Sequence, residues 1–174
     1  MVPPVTGEDD MPFRTRGRIA GVALLATVLA AGALPAQAAE PEIFAAGVAC
    51  AFELEMETAP GGHIVTREFL DADGNVVRIL TTGKGQALTF TNADTGESVS
   101  SRSNGFTQQI SVHPDGTLTV TLTGHNLLIM FPTDDPAGPS TTIYSGRVVF
   151  DIVGEVYTLR STSGRARDIC AELE

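Results

Sequence analysis

"TLTVTLTGHNLLIMF", residues 117–131, joins two different hydropathy patterns end to end. In its first half Leu118, Val120 and Leu122 alternate with Thr117, Thr119, Thr121 and Thr123. That period of two predicts a strand with one face on a core and the other towards solvent. Threonine is favoured on such a pleated outer face, so the hydroxyl array needs no ligand to account for it. In the second half Leu127 to Phe131 are apolar without a break, neither helical nor alternating, which predicts a strand covered on both faces. Gly124 and Asn126 between them read as a turn. A plain meander leaves one face of each strand to water, so this strand needs a cover: the segment Pro41 to Ala49, or a partner.

Working outward, short β-type runs recur with turn signals between them: "HIVTREFL", "NVVRILTT", "QALTFTN", "ESVSSRS", "FTQQISV", "TTIYSGRVVFDI", "EVYTLRST" and "ARDICAEL". "ACAFELEME" alternates Cys50, Phe52, Leu54 and Met56 against Glu53, Glu55 and Glu57. "DADGN" (Asp71 to Asn75) and "HPDGT" are aspartate–glycine hairpin turns. The first is no calcium loop, because Gly74 is fourth rather than sixth and Thr82 stands where the bidentate glutamate belongs. Roughly ten evenly spaced strands without helical periodicity predict an all-β fold. The expected form is a single antiparallel meander, an up-and-down, calycin-like barrel in preference to a sandwich, since closure removes exposed edges.

Residues 1–38 read as an export signal. Arg14, Arg16 and Arg18 precede an apolar run from Ile19 to Leu34, and Ala36-Gln37-Ala38 offers a small-x-small cleavage site. The acids at Glu8, Asp9 and Asp10 do not suit such a signal, so Met11 is the expected start. Residues 39–47 are then an extension and residues 48–174 the β domain. Export predicts a secreted, extracellular protein with no membrane span in the mature chain. Removing the signal takes three charges of each sign, so the net charge stays at −10. That balance excludes nucleic acid and anionic membrane surfaces, which need clustered Lys and Arg.

Cys50 and Cys170 are the only two cysteines. In an exported chain an even count predicts a disulfide, here closing a very long loop. A lipoprotein anchor at Cys50 would instead leave Cys170 unpaired.

The three histidines, His63, His113 and His125, each neighbour a turn signal and lack the spacing of paired metal ligands. No metal and no cofactor is expected. No G-x-S-x-G elbow occurs in the chain. Glu53, Glu55 and Glu57 share one strand face at about 6.6 Å spacing, as a solvated outer row. The remaining candidate is the loop after the apolar run. Pro132, Pro136 and Pro139 each fix φ near −65° and remove an amide donor, so the loop is pre-ordered and cannot join the sheet. Asp134 and Asp135 keep its tip wet. His125, Asp134, Asp135 and Pro136 together are the candidate binding loop.

"REFLDADGNVVRILTTGKGQALTFTNADTG", "GHNLLIMFPTDDPAGPSTTIYSGRVVF" and "STSGRARDIC" resemble a family of small secreted β-rich proteins of actinomycetes, and "FPTDDPAGPST" is the most specific part. The resemblance covers most of the mature chain. It implies export, a β-rich domain and a cysteine pair, and supplies no catalytic or binding residue. The expected function is a secreted, disulfide-closed binding or interaction module for a small apolar ligand or an extracellular protein. The alternatives are a hydrolase with its site near His125 and Asp134/Asp135, or a secreted inhibitor using the proline-rich loop.

Overall fold

The computed structural model describes residues 40–174, so the expected signal, residues 1–38, lies outside the described residues. The chain forms β1 (Glu42–Phe44), β2 (Leu54–Thr58), β3 (His63–Leu70), β4 (Val76–Lys84) and β5 (Leu88–Asn92). It continues through β6 (Ser98–Ser101), β7 (Gly105–Val112), β8 (Leu118–Met130), β9 (Ser140–Val153), β10 (Val156–Asp168) and a helical turn α1 (Ile169–Glu172). Two antiparallel sheets result, a small one in the order β1-β2-β5-β6 and a large one in the order β10-β9-β8-β7-β4-β3. The meander is therefore interrupted: between β4 and β7 the chain leaves the large sheet to form the β5–β6 hairpin. The expected aspartate turns are present. Asp71 Oδ1 accepts the amides of Asp73 and Asn75, and Asp115 Oδ1 accepts that of Thr117. Strand β1 lies within the 39–47 extension, which thus supplies an edge of the small sheet.

Two expected breaks are not breaks. Gly124 and Asn126 do not form a turn: β8 runs through both and pairs with β9 over its whole length. "EVYTLRST" and "ARDIC" are likewise parts of one strand, which passes through Gly164 and ends in α1 rather than in a further strand. There Asp168 caps the helical turn by accepting the amide of Ala171 at 3.1 Å. Gly124 reads as punctuation because the usual role of glycine is in turns. Here it answers a different constraint, shared with three other glycines.

Gly124, Gly146 and Gly164 are direct cross-strand partners, and Gly124 pairs through Phe106 to Gly83. A row of glycine thus crosses the large sheet on β4, β8, β9 and β10. A Cβ at Gly124 would lie 2.5 Å from the Gly105 carbonyl oxygen. One at Gly146 would collide with the Ser163 carbonyl, and one at Gly83 with that of His63. Backbone approaches backbone along the row because the sheet bends sharply there, as glycine permits. A straight β8 would separate Leu118 from Met130 by about 40 Å. Instead both ends meet at one carboxylate. Asp134 Oδ2 accepts the amide of Phe131, next to Met130, at 2.6 Å, and Oδ1 accepts that of Tyr157 at 2.9 Å. Tyr157 pairs with Ile152, which pairs with Leu118.

The bend sorts the core into two clusters. On the concave face Val120 and Leu122 from before the bend join Leu128, Met130, Val148 and Phe150. On the convex face Leu127, Ile129 and Ile143 pack against Leu54 and Phe90 of the small sheet, with Ala49, Cys50 and Phe52. The apolar run of β8 is therefore covered on both sides, and the chain itself supplies the cover, Ala49 included. Cys50 and Cys170 form a disulfide, with Cα atoms 5.5 Å apart, joining the segment before β2 to α1. Ile169 and Leu173 are fully buried beside it, and Asn92 Nδ2 donates to the Leu173 carbonyl at 3.0 Å.

Two outcomes follow for stability. Gly146→Ala should destabilise by about 3 kcal/mol or more through the backbone clash. Gly116→Ala, in the β7–β8 turn with φ 85° and open space around it, should lose only about 1 kcal/mol. Chemical denaturation of both variants checks the contrast. Replacing Cys50 and Cys170 together by serine should lower stability by up to about 4–5 kcal/mol, the loop-closure value for a separation of 120 residues. An unchanged denaturation midpoint would show that packing around α1 suffices without the bridge.

Candidate functional site

Between the two sheets lies a cavity of about 260 Å³. Leu88 of the small sheet and Ile64, Phe106, Leu127 and Ile143 of the large sheet give it mostly apolar walls. Its polar groups are Thr58 at the end of β2, Ser101 at the end of β6, His125 and Asn126 on β8, and Gln86 and Asn104 from loops. The strand pattern places them. His125 shares parity with Leu127, whose side chain faces the small sheet, and the bend at Gly124 precedes it by one residue. Ser101 shares parity with Val99 and is buried at the inward end of β6.

His125 uses both ring nitrogens. Nε2 lies 2.8 Å from Ser101 Oγ, and Nδ1 lies 3.0 Å from Ser145 Oγ on β9. A neutral imidazole donates from one nitrogen and accepts at the other, so one serine donates to the ring and the other accepts from it. With Ser101 donating, the pair has the spacing of a nucleophile and its base. The third member is a hydroxyl. A hydroxyl orients the ring but carries no charge to stabilise an imidazolium, as the carboxylate of a hydrolytic triad does.

The proline-rich loop is arranged differently from its expected form. Asp134 is 6% exposed, not wet, because its carboxylate is the clasp for Phe131 and Tyr157. Nor is the loop excluded from the sheet. The Asp135 amide donates to the Tyr157 carbonyl at 2.8 Å and the Leu159 amide donates to that of Asp135 at 2.7 Å. Proline at 136 removes its own amide and leaves the Asp135 groups free to form this short parallel bridge to Thr158. The side chains of Asp135 and Pro136 are exposed. Among the described residues no hydrogen bond joins His125 to Asp134 or Asp135, so the four candidates divide into a cavity residue and a structural loop.

A second polar group sits at the β7–β8 turn. His113 Nε2 is 3.0 Å from Thr119 Oγ1, which donates to Asp151 Oδ1 at 2.8 Å, and Arg160 pairs with Asp151 Oδ2 at 2.8 Å. The Thr119 hydroxyl first, and then the Arg160 guanidinium, hold the Asp151 carboxyl below its ordinary range. The pair is solvated, so it ties β8, β9 and β10 together only weakly. Among the described residues no three of His, Cys, Asp or Glu gather as a metal site would require.

His125 is identifiable from the sequence, but its partners are not. The signal for Ser101 and Ser145 was strand parity with Val99 and Ile143, which reads hydrophobic positions well and polar ones poorly. Comparison with known protein families, with curated proteins and with solved structures finds no match to this chain.

The two aspartates should separate in a stability measurement. Asp134→Ala strips two backbone amides of a charged acceptor and should cost about 2–4 kcal/mol. Asp135→Ala keeps the backbone bridge and should stay within about 0.5 kcal/mol of the parent. Equal effects on the urea midpoint would remove the clasp from Asp134.

Proposed function

We propose that the protein is an exported binding module whose site is the cavity between the sheets. The ligand is a small, largely apolar molecule with one polar group directed at His125 and Ser101. The observation that carries this reading is a cavity with aliphatic and aromatic walls and a convergent pair of hydrogen-bonding side chains, the usual make-up of small-molecule sites. Its volume of about 260 Å³ suits a ligand at the small end of the range. Export is supported by the signal-type N-terminus together with the disulfide, which persists in oxidising compartments. Among the described residues no helix is long and apolar enough to cross a membrane. A barrel-like architecture is supported by the curl of the large sheet around its own concave cluster; the separate small sheet favours the two-layer alternative.

A hydrolase is the second reading, favoured by the 2.8 Å Ser101–His125 contact. Ser101 would be the nucleophile and His125 the base, with Ser145 in place of a carboxylate. An extracellular protein partner draws support from β3, an edge strand with Ile64, Val65 and Leu70 exposed. The inhibitor reading rested on a protruding rigid loop, and burial of Asp134 against β10 weakens it.

Native mass spectrometry of protein recovered from culture medium tests the first reading. The parent should carry a small bound molecule, and His125→Leu should carry little or none, a loss of about tenfold or more in affinity. A parent with no bound mass and no thermal stabilisation by a library of small apolar compounds would remove it. Covalent labelling of Ser101 by a fluorophosphonate, absent in Ser101→Ala, would establish the hydrolase instead.

A further inference from the structure

Asn126 follows His125 and belongs to the other face of β8. It shares parity with Leu122 and Leu128, both in the concave cluster, and its cross-strand partner Tyr144 packs on that cluster too. A second cavity of about 320 Å³ opens on this face. Its walls include Leu122, Leu128, Phe131, Phe150 and Tyr157, and the last two rings lie 5.4 Å apart at 34°. Gln108, Asn126 and the Tyr157 hydroxyl are its polar side-chain groups, and no charged side chain lines it. Asn126 is only 9% exposed, and its Nδ2 has no hydrogen-bond partner among the described residues. A buried amide donor without an acceptor is costly, and native proteins seldom leave one so.

We propose that this concave cavity is a second binding site, for a small neutral apolar molecule bearing a carbonyl oxygen that accepts from Asn126 Nδ2. The aromatic wall receives the apolar body, and the Gln108 amide stands ready for a second polar contact. A carboxylate is disfavoured. No Lys or Arg lines the cavity to pair with it, and the net charge of −10 repels it. Asn126 and Leu127 also border the cavity between the sheets, so the two cavities adjoin across β8, and the distinguishing residue is His125, which lines only the first.

The protein carries its own reporter for the test. It has no tryptophan and two tyrosines, Tyr144 and Tyr157, and both pack on the concave cluster. Titration of the full chain with 2-nonanone should change tyrosine fluorescence saturably and shift the Asn126 side-chain NH₂ signals in an ¹⁵N correlation spectrum. Nonanoate should bind at least tenfold more weakly. Asn126→Leu should weaken the ketone by about five- to tenfold, the size of one neutral hydrogen bond, with the thermal midpoint unchanged or raised. His125→Gln should leave this response intact, which separates it from the first cavity. The proposal is overturned if the ketone gives no saturable response, if nonanoate binds as tightly, or if Asn126→Leu binds equally well. A lowered midpoint in ligand-free Asn126→Leu would overturn it as well, because a bound water would then already satisfy the amide. Should that variant fail to fold, the spectrum of the parent decides alone.

Discussion

Backbone-to-backbone approach along the row of Gly83, Gly124, Gly146 and Gly164 is the constraint on which the rest of this molecule depends. Four strands give up a side chain at one level, and in exchange the large sheet folds sharply enough to face itself. Without that bend Val120 and Leu128 would lie on a flat apolar surface with nothing opposite, too broad for a monomer to expose. With it, one sheet builds a core from its two halves. The Asp134 clasp acts only because the bend has already brought Phe131 and Tyr157 together. The convex side is left to the small sheet, whose packing creates the cavity beside His125.

Much of this was legible in the residues. Alternation in 117–123 gave the inward face of β8 correctly, and the unbroken run after it required cover on both sides, which the two clusters provide. The aspartate turns and the cysteine pair followed from local chemistry. The bend did not, because Gly124 and Asn126 carry the same local signal whether a strand reverses or merely folds. Only the register shows that Gly124, Gly146 and Gly164 stand side by side, and register is a property of several strands at once. "ARDIC" failed for a related reason: alternation persists to Ile169, while the cap at Asp168 and the cystine turn the chain into a helix.

The site shows the same division between local and non-local information. His125 was identifiable as a polar group beside a glycine, yet its function as a cavity residue depends on Ser101, 24 positions away in the other sheet. Asp134 is buried although an aspartate among prolines reads as a solvated tip. Two amides, one three residues back and one 23 residues on, make it a buried acceptor instead. The polar residues that matter here, Ser101, Asn126 and Asp134, occupy positions where strand parity or closure predicts an apolar side chain. Departures from the hydrophobic pattern were more informative than the motifs.

The position of the disulfide has a consequence for the order in which the molecule is made. Synthesis proceeds from the N-terminus, so Cys50 exists as a thiol while the next 120 residues are added. With no third cysteine in the chain, it has no wrong partner within the molecule. Its correct partner follows β10 and sits on the helical turn at the far end of the described chain. Closing the bridge therefore needs the end of β10 to reach the segment before β2, and a chain in which it does so withdraws Cys50 from other thiols.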